Sequence, residues 1–220
     1  PPPPQASSTA AIRRLAEQGY EATTAEDLAE AVGMSRSTFF RRFGSKDDVI
    51  FADHDHALAA LTEFLASTDL PLEDAVIRGT LEVMHFLTRD ADAARLRSDL
   101  LRRTPALRER ELVITHRYER LFADHLAAHA PEDAPRWAIA AVAAGLVAVH
   151  NAALRSWLHD PDPRLIGTLD RELRQLLSRF SPWFGTGGEG PDGSRVVVAV
   201  YDSPAAAERV LDAVRNALGA

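Results

Sequence analysis

Apolar positions recur at intervals of three and four residues over most of this 220-residue chain, the spacing of helices with one buried face. Strict alternation, the mark of a half-buried strand, is almost absent before residue 195. The pattern predicts a first helix over residues 9–18, stopped by Gly19. A second helix starts after Thr24, where Asp27 completes a capping-box spacing, and stops at Gly33. Ser35 is placed to cap a third helix over 36–43, which Gly44 ends. Ser45 then caps a long fourth helix through "KDDVIFADHDHALAALTEFLAS". Beyond Pro71, helices are predicted near 72–89, 91–103, 105–129, 135–159 and 163–180, separated by turns containing proline or aspartate.

The two ends break this pattern. "PPPPQASS", residues 1–8, reads as a disordered tail. "GTGGEGPDG", residues 185–193, reads as a flexible linker. It leads to a strand–helix appendage over 194–220, with an apolar strand at 195–201 and a helix after Ser203-Pro204. A lone strand leaves its backbone groups unpaired, so this one is expected either to pair with a second copy of itself or to pack as an accessory βα unit.

Composition narrows the classes. A hydrophobic fraction of 46% suits a folded chain. The absence of cysteine excludes disulfides and thiolate metal sites and fits a reducing cytosol. The N-terminal residues have neither the basic start nor the apolar run of a signal peptide. One stretch, "WAIAAVAAGLVAVHNAAL" from Trp137 to Leu154, carries no formal charge and reaches the lower length bound for a membrane span. It is mostly alanine, includes His150 and Asn151, and has no second candidate to pair with. A buried helix in a soluble, cytoplasmic protein with no membrane partner is therefore expected.

Charge distribution points to a partner. The formal net charge is -7, yet "VGMSRSTFFRRFGSK" holds Arg36, Arg41, Arg42 and Lys46 and nothing acidic. Lys46 is the only lysine in the sequence. Two short helices joined by a tight glycine turn, the second rich in arginine, form a helix-turn-helix pattern. On that second helix Phe39 and Phe43 share a face that can pack on Leu28, Val32 and the first helix. Ser37 and Arg41 then turn outward, flanked by Arg36, Thr38, Phe40 and Arg42. Such a face suits the major groove of double-stranded DNA, where arginine pairs with guanine and hydroxyls reach phosphates. The alternative is a solvated basic surface, since the first fifty residues are about neutral as a whole.

The run "GYEATTAEDLAEAVGMSRSTFFRRFGSK" resembles the DNA-binding region of the TetR family of transcriptional regulators. The likeness rests on Gly-Tyr closing the first helix, paired threonines opening the second, the Ala-x-x-x-Gly turn, Ser-x-x-Thr and the final Phe-x-Ser-Lys. It implies an all-α fold: a three-helix DNA-binding domain over 9–50, then a helical ligand-binding and dimerisation domain over 51–184. It implies a homodimer that lays its third helices in successive major grooves of a partly palindromic operator. By position, Thr24, Thr38 and Lys46 would contact phosphates, and Arg36, Ser37 and Arg41 would lie near bases. Ser35, Phe40 and Arg42 complete the candidate DNA-binding set. Phe40 stands where the family usually has tyrosine, which removes a phenolic hydrogen bond and leaves apolar packing. Ser7 and Ser8 occupy positions that are usually apolar, so a frayed first turn is expected.

The resemblance also implies a small-molecule effector and no cofactor. Met84, His85, Leu96, Tyr118, Phe122 and Trp157 are candidate pocket residues, with plain core the commoner reading of each. Ala140, Ala141, Ala144, Gly145 and Ala148 permit close helix approach, in a dimer interface or in the domain core alike. "TPALRERE" and the helix-turn-helix wording are similar to a subgroup that includes regulators responsive to acyl-CoA thioesters. The arginines near 102–110 suit phosphates or a solvated helix face. The fourth helix is expected to carry an effector signal to the reading helix. "DHDH", residues 53–56, is read as a wet helix surface rather than a metal site, because residues two apart do not share a helix face. The G-x-G-x-x-G match at Gly185, Gly187 and Gly190 lacks its strand–turn–helix context and is read as chance. No nucleophile, carboxylate pair or metal set marks an enzyme. The rival reading is a helical ligand-binding or scaffold protein that has lost DNA binding.

Overall fold

The computed structural model describes residues 4–184, and every regular element among them is a helix. In order these are α1 (Pro4–Gln18), α2 (Ala25–Ala31), α3 (Arg36–Phe43), α4 (Lys46–Ser67) and α5 (Leu72–Thr88). They continue with α6 (Ala91–Arg103), α7 (Pro105–His129), α8 (Arg136–His159), α9 (Leu165–Ser178) and the single turn α10 (Ser181–Phe184). The linker, strand and terminal helix expected over 185–220 lie outside the described residues.

Local chemistry sets the N-terminal boundaries. Thr24 Oγ1 accepts from the Asp27 amide at 3.2 Å, and Asp27 Oδ2 accepts from the Thr24 amide at 2.7 Å. The capping box read from spacing is thus formed, and it satisfies two amide donors that the start of α2 leaves free. Ser35 and Ser45 accept from the amides of Thr38 and Asp48 at 3.2 and 3.1 Å. Gly44 ends α3 at φ +82°, a conformation that a Cβ disfavours.

The first helix departs from expectation. It begins at Pro4 rather than residue 9, so most of the predicted tail is helical. Ser8, expected in a frayed first turn, is fully buried within α1. A serine is small enough to enter that interior. Helix propagation past it needs only backbone bonds, which sequence polarity does not report.

Packing joins the two halves through α4. Helix α1 packs on α2, α4 and α6, and α4 packs in turn on α5 and α7. Leu15, Leu28, Phe39 and Val49 are fully buried beneath the N-terminal helices. In the larger bundle α8 lies against α5, α6, α7 and α9. A Cβ at Gly145 would come within 2.9 Å of Leu176 Cδ2, so glycine lets α8 approach α9 closely.

Helix α8 is long and apolar enough to cross a membrane by length and composition. About 33% of its apolar window is buried inside the chain. Its contacts with four other helices account for that buried part.

Candidate nucleic-acid interface and internal cavity

The α2–turn–α3 unit presents one face. Phe39 is fully buried and Phe43 nearly so, their ring centroids 5.2 Å apart, which fixes the rotation of α3. Ser35, Arg36, Ser37, Phe40 and Arg41 are exposed as a result, and Thr38 and Arg42 are half-buried. Arg36 Nε meets Glu26 Oε1 at 2.8 Å and its guanidinium lies over the Phe40 ring at 5.6 Å. Arg42 stacks over Phe43 at 5.4 Å. Ser35 and Thr38 share a hydroxyl–hydroxyl bond of 3.0 Å, and the Thr24 hydroxyl donates to Asp27 at 2.7 Å. The hydroxyls expected at phosphates therefore also serve as caps.

Lys46 makes bonds within the fold that its sequence reading did not include. Its Nζ donates to the Tyr20 and Thr23 carbonyls at 2.8 and 3.2 Å and sits 3.9 Å from the Tyr20 ring centroid. The Tyr20 hydroxyl in turn donates to Asp47. The lone lysine thus ties the α1–α2 turn to the start of α4, leaving one ammonium donor for anything outside.

A cavity of about 540 Å³ lies within the bundle, a size typical of small-molecule sites. Its walls come from α4 to α8, with Phe51, Val83, Leu87, Ile114, Phe122 and Val147 among the apolar lining. Its polar groups fall into two sets. Arg95, Arg102, Arg108 and Arg155 are half-buried or exposed and bring positive charge to the lining, offset in part by Asp99 and Glu111. Burial pushes the Glu111 carboxyl up, and Arg155 opposes the shift. The second set, His54, Arg97, Tyr118 and His150, is largely enclosed.

The enclosed set is tied to α4. Arg97 is 6% exposed, and it donates to Asp53 Oδ2 at 2.8 Å and to the Ile50 carbonyl at 3.1 Å. Arg89 approaches the same carboxylate oxygen at 3.4 Å. The Tyr118 hydroxyl donates to the His54 carbonyl at 3.3 Å and lies 3.5 Å from His54 Nδ1. Burial holds His54 down at about 3, with the neighbouring Arg97 adding to the effect. His150 is held at about 4 by burial, against its hydrogen bond to Asn151 Oδ1. Both imidazoles are neutral at physiological pH. Ion pairs from α7, Arg110 to Asp48 and Arg117 to Asp55, clasp α4 further along.

The pocket candidates divide. Tyr118 and Phe122 line the cavity. Met84 is buried core, and His85 lines a separate cleft between α4 and α5. Leu96 and Trp157 are half-buried and line neither. On α6 the inward phase falls on Arg97, one residue beyond Leu96, which a search for apolar residues passes over. The wet-surface reading of "DHDH" also needs correction. Asp53 is 5% exposed and His54 faces the cavity, while Asp55 and His56 are outside. The signal was present in the phase of Ile50, Ala57 and Leu61, which places residues 53 and 54 inward. Among the described residues no group of three histidine, aspartate or glutamate side chains could hold a metal. On α8, Gly145 faces α9 within the chain, Ala141 and Ala144 are half-buried, and Ala140 and Ala148 are exposed.

Comparison with known proteins covers both halves. Residues 9–52 match the family profile described as bacterial regulatory proteins, tetR family, and residues 70–181 match that of the MftR C-terminal domain. The Mycobacterium tuberculosis protein named as mycofactocin biosynthesis transcriptional regulator MftR is 26% identical over 168 residues, covering 76% of this chain and 85% of its own. The HTH-type transcriptional repressor AcnR of Corynebacterium glutamicum is 38% identical over 72 residues, 33% of this chain and 37% of its own. In structure, the Bacillus subtilis regulator FadR in complex with stearoyl-CoA superposes with a TM-score of 0.57 at 16% identity. That likeness covers 79% of this chain and 97% of FadR, and it shows the shared fold.

Proposed function

Because this chain belongs to the TetR family of bacterial transcriptional regulators, we propose that it is a repressor that binds a partly palindromic operator as a homodimer and leaves it when a small molecule fills the cavity. Residues 9–50 act as the reading domain and 51–184 as the sensing and pairing domain. Arg36, Ser37 and Arg41 approach base edges, with Phe40 packing against a base or thymine methyl. Thr24, Ser35, Thr38, Arg42 and Lys46 meet phosphates, which position the reading helix without adding sequence information. The exposed face of α8, with Ala140 and Ala148, pairs with its copy. The protein acts in the cytoplasm, where its DNA is.

The observation that carries the sensing half is that α4 belongs to both sites. Its N-terminus is tied to the turn before α2 through Lys46, and its Phe51 and His54 line the cavity. An effector that binds one α4 position better than another shifts the spacing of the paired reading helices. Apolar walls with nearby arginines suit a ligand with an apolar body and an anionic end. An acyl-CoA thioester has that chemistry, and the FadR complex with stearoyl-CoA illustrates this fold holding one.

The test is fluorescence anisotropy on a palindrome-bearing fragment of the protein's own promoter across a salt series, with and without hexadecanoyl-CoA. Specific binding that weakens steeply with salt, and release by the thioester, are expected. Salt-independent or absent binding would leave a scaffold protein instead. Tight binding unaffected by the thioester would remove the acyl-CoA assignment.

A further inference from the structure

One buried ring nitrogen of a cavity-lining side chain has no hydrogen-bond partner among the described residues. His150 on α8 is 7% exposed and lines the cavity, and its Nδ1 lies 3.2 Å from Asn151 Oδ1. Since an amide oxygen only accepts, Nδ1 carries the proton and Nε2 is left as a lone-pair acceptor. That Nε2 is buried and meets no hydrogen-bond partner among the described residues. A buried acceptor left without a donor is costly, and native interiors rarely leave one unmet. The surrounding wall holds Val147, three residues back on α8, and the enclosed His54 and Tyr118, where the Tyr118 hydroxyl already donates to the His54 carbonyl and lies beside its Nδ1.

We propose that His150 Nε2 accepts a hydrogen bond from a neutral donor on the effector, so that the cavity selects a molecule carrying a hydroxyl on its apolar body. The inference rests on reading the cavity as the effector site and specifies the chemistry of its enclosed end. The arginines among the lining take the anionic end, and His150 takes a hydroxyl along or at the end of the chain. A carboxylate is the wrong partner for Nε2, because a deprotonated acid has no proton to give. Placed there, the hydroxyl also lies in the same wall as His54, the polar side chain through which α4 lines the cavity.

The experiment compares matched probes on the full-length protein: straight-chain fatty acids from octanoate to hexadecanoate, their ω-hydroxy counterparts, the ω-methoxy counterparts, and the CoA thioesters of each. Affinity is read by calorimetry. For the chain length that reaches the enclosed end, the hydroxy probe is expected to bind roughly five- to tenfold more tightly than the plain and methoxy probes. His150→Phe should abolish that preference, so that the hydroxy, plain and methoxy probes of one length bind alike. Nitrogen NMR of wild-type protein gives a readout that does not depend on the variant folding: the His150 Nε2 resonance should move upfield with the hydroxy probe only. Plain and hydroxy probes binding equally at every length would mean that water or a side-chain rotation satisfies His150, and would overturn the inference while leaving the cavity as an effector site. If no probe bound while the promoter fragment did, the effector reading and the subsite would fall together.

Discussion

Replacing Arg97 with methionine removes one half of a buried ion pair and leaves the other half in place. Asp53 is 5% exposed, its Oδ1 has no hydrogen-bond partner, and without Arg97 its nearest cation is Arg89 at 3.4 Å. Breaking a buried pair from one side costs about 3–5 kcal/mol, because the remaining charge keeps its desolvation penalty. Arg89 recovers part of this, and loss of the bond to the Ile50 carbonyl adds to it, so about 3 kcal/mol is expected for Arg97→Met. In a domain of this size that lowers the melting midpoint by about 6–12 °C. The double variant Asp53→Leu/Arg97→Met leaves no stranded charge and should recover most of the loss. Urea unfolding followed by far-UV circular dichroism, at one fixed protomer concentration, gives the four corners of the cycle. Because the pair joins α6 to α4, the single variant should also weaken operator binding at temperatures where it remains folded. A single variant within about 1 kcal/mol of wild type, or a double variant worse than both singles, would refute this account of the α4–α6 tie.

Other consequences are simpler to test. Gly44→Ala places a Cβ at φ +82° and within 3.1 Å of Asp48 Oδ2, which should cost about 1–2 kcal/mol in urea unfolding. Lys46→Gln loses two charge-assisted bonds to the α1–α2 turn. It should lower stability by about 1–3 kcal/mol and change the salt slope of DNA binding by no more than about one ion. Arg41→Gln should leave stability within about 0.5 kcal/mol and weaken operator affinity in an anisotropy titration. Burial holds His150 at about 4, and burial together with the positive charge of Arg97 holds His54 at about 3, both below the usual 6.5. The unfolded chain therefore binds more protons in acid, and stability falls as pH drops below 6.5, levelling near 4 for His150 and near 3 for His54. His150→Leu should remove about 1.4 kcal/mol per pH unit of that slope in the window between its two values.

The sequence by itself determined the boundaries of α2, α3 and α4 and the outward face of α3. Caps and stops are local chemistry: Thr24 with Asp27, Ser35, Ser45 and the three glycine turns act within one helical turn of themselves, so their order along the chain is enough. The four-residue interval between Phe39 and Phe43 likewise set which side of α3 is buried, and with it the exposure of Ser37 and Arg41. The enclosed polar set of the cavity was decided only by tertiary structure. Asp53 and Arg97 lie forty-four positions apart, and each looks like an ordinary surface charge until α4 and α6 pack. His150 lies in a charge-free stretch that suggested only burial, and its role depends on which helices close around it. Lys46 shows the same division: its position suggested a phosphate anchor, but the fold brings two carbonyls from the α1–α2 turn to its ammonium. The starts of α2, α3 and α4 are decided by their neighbours in sequence, whereas the environment of a polar side chain depends on residues that only folding brings near.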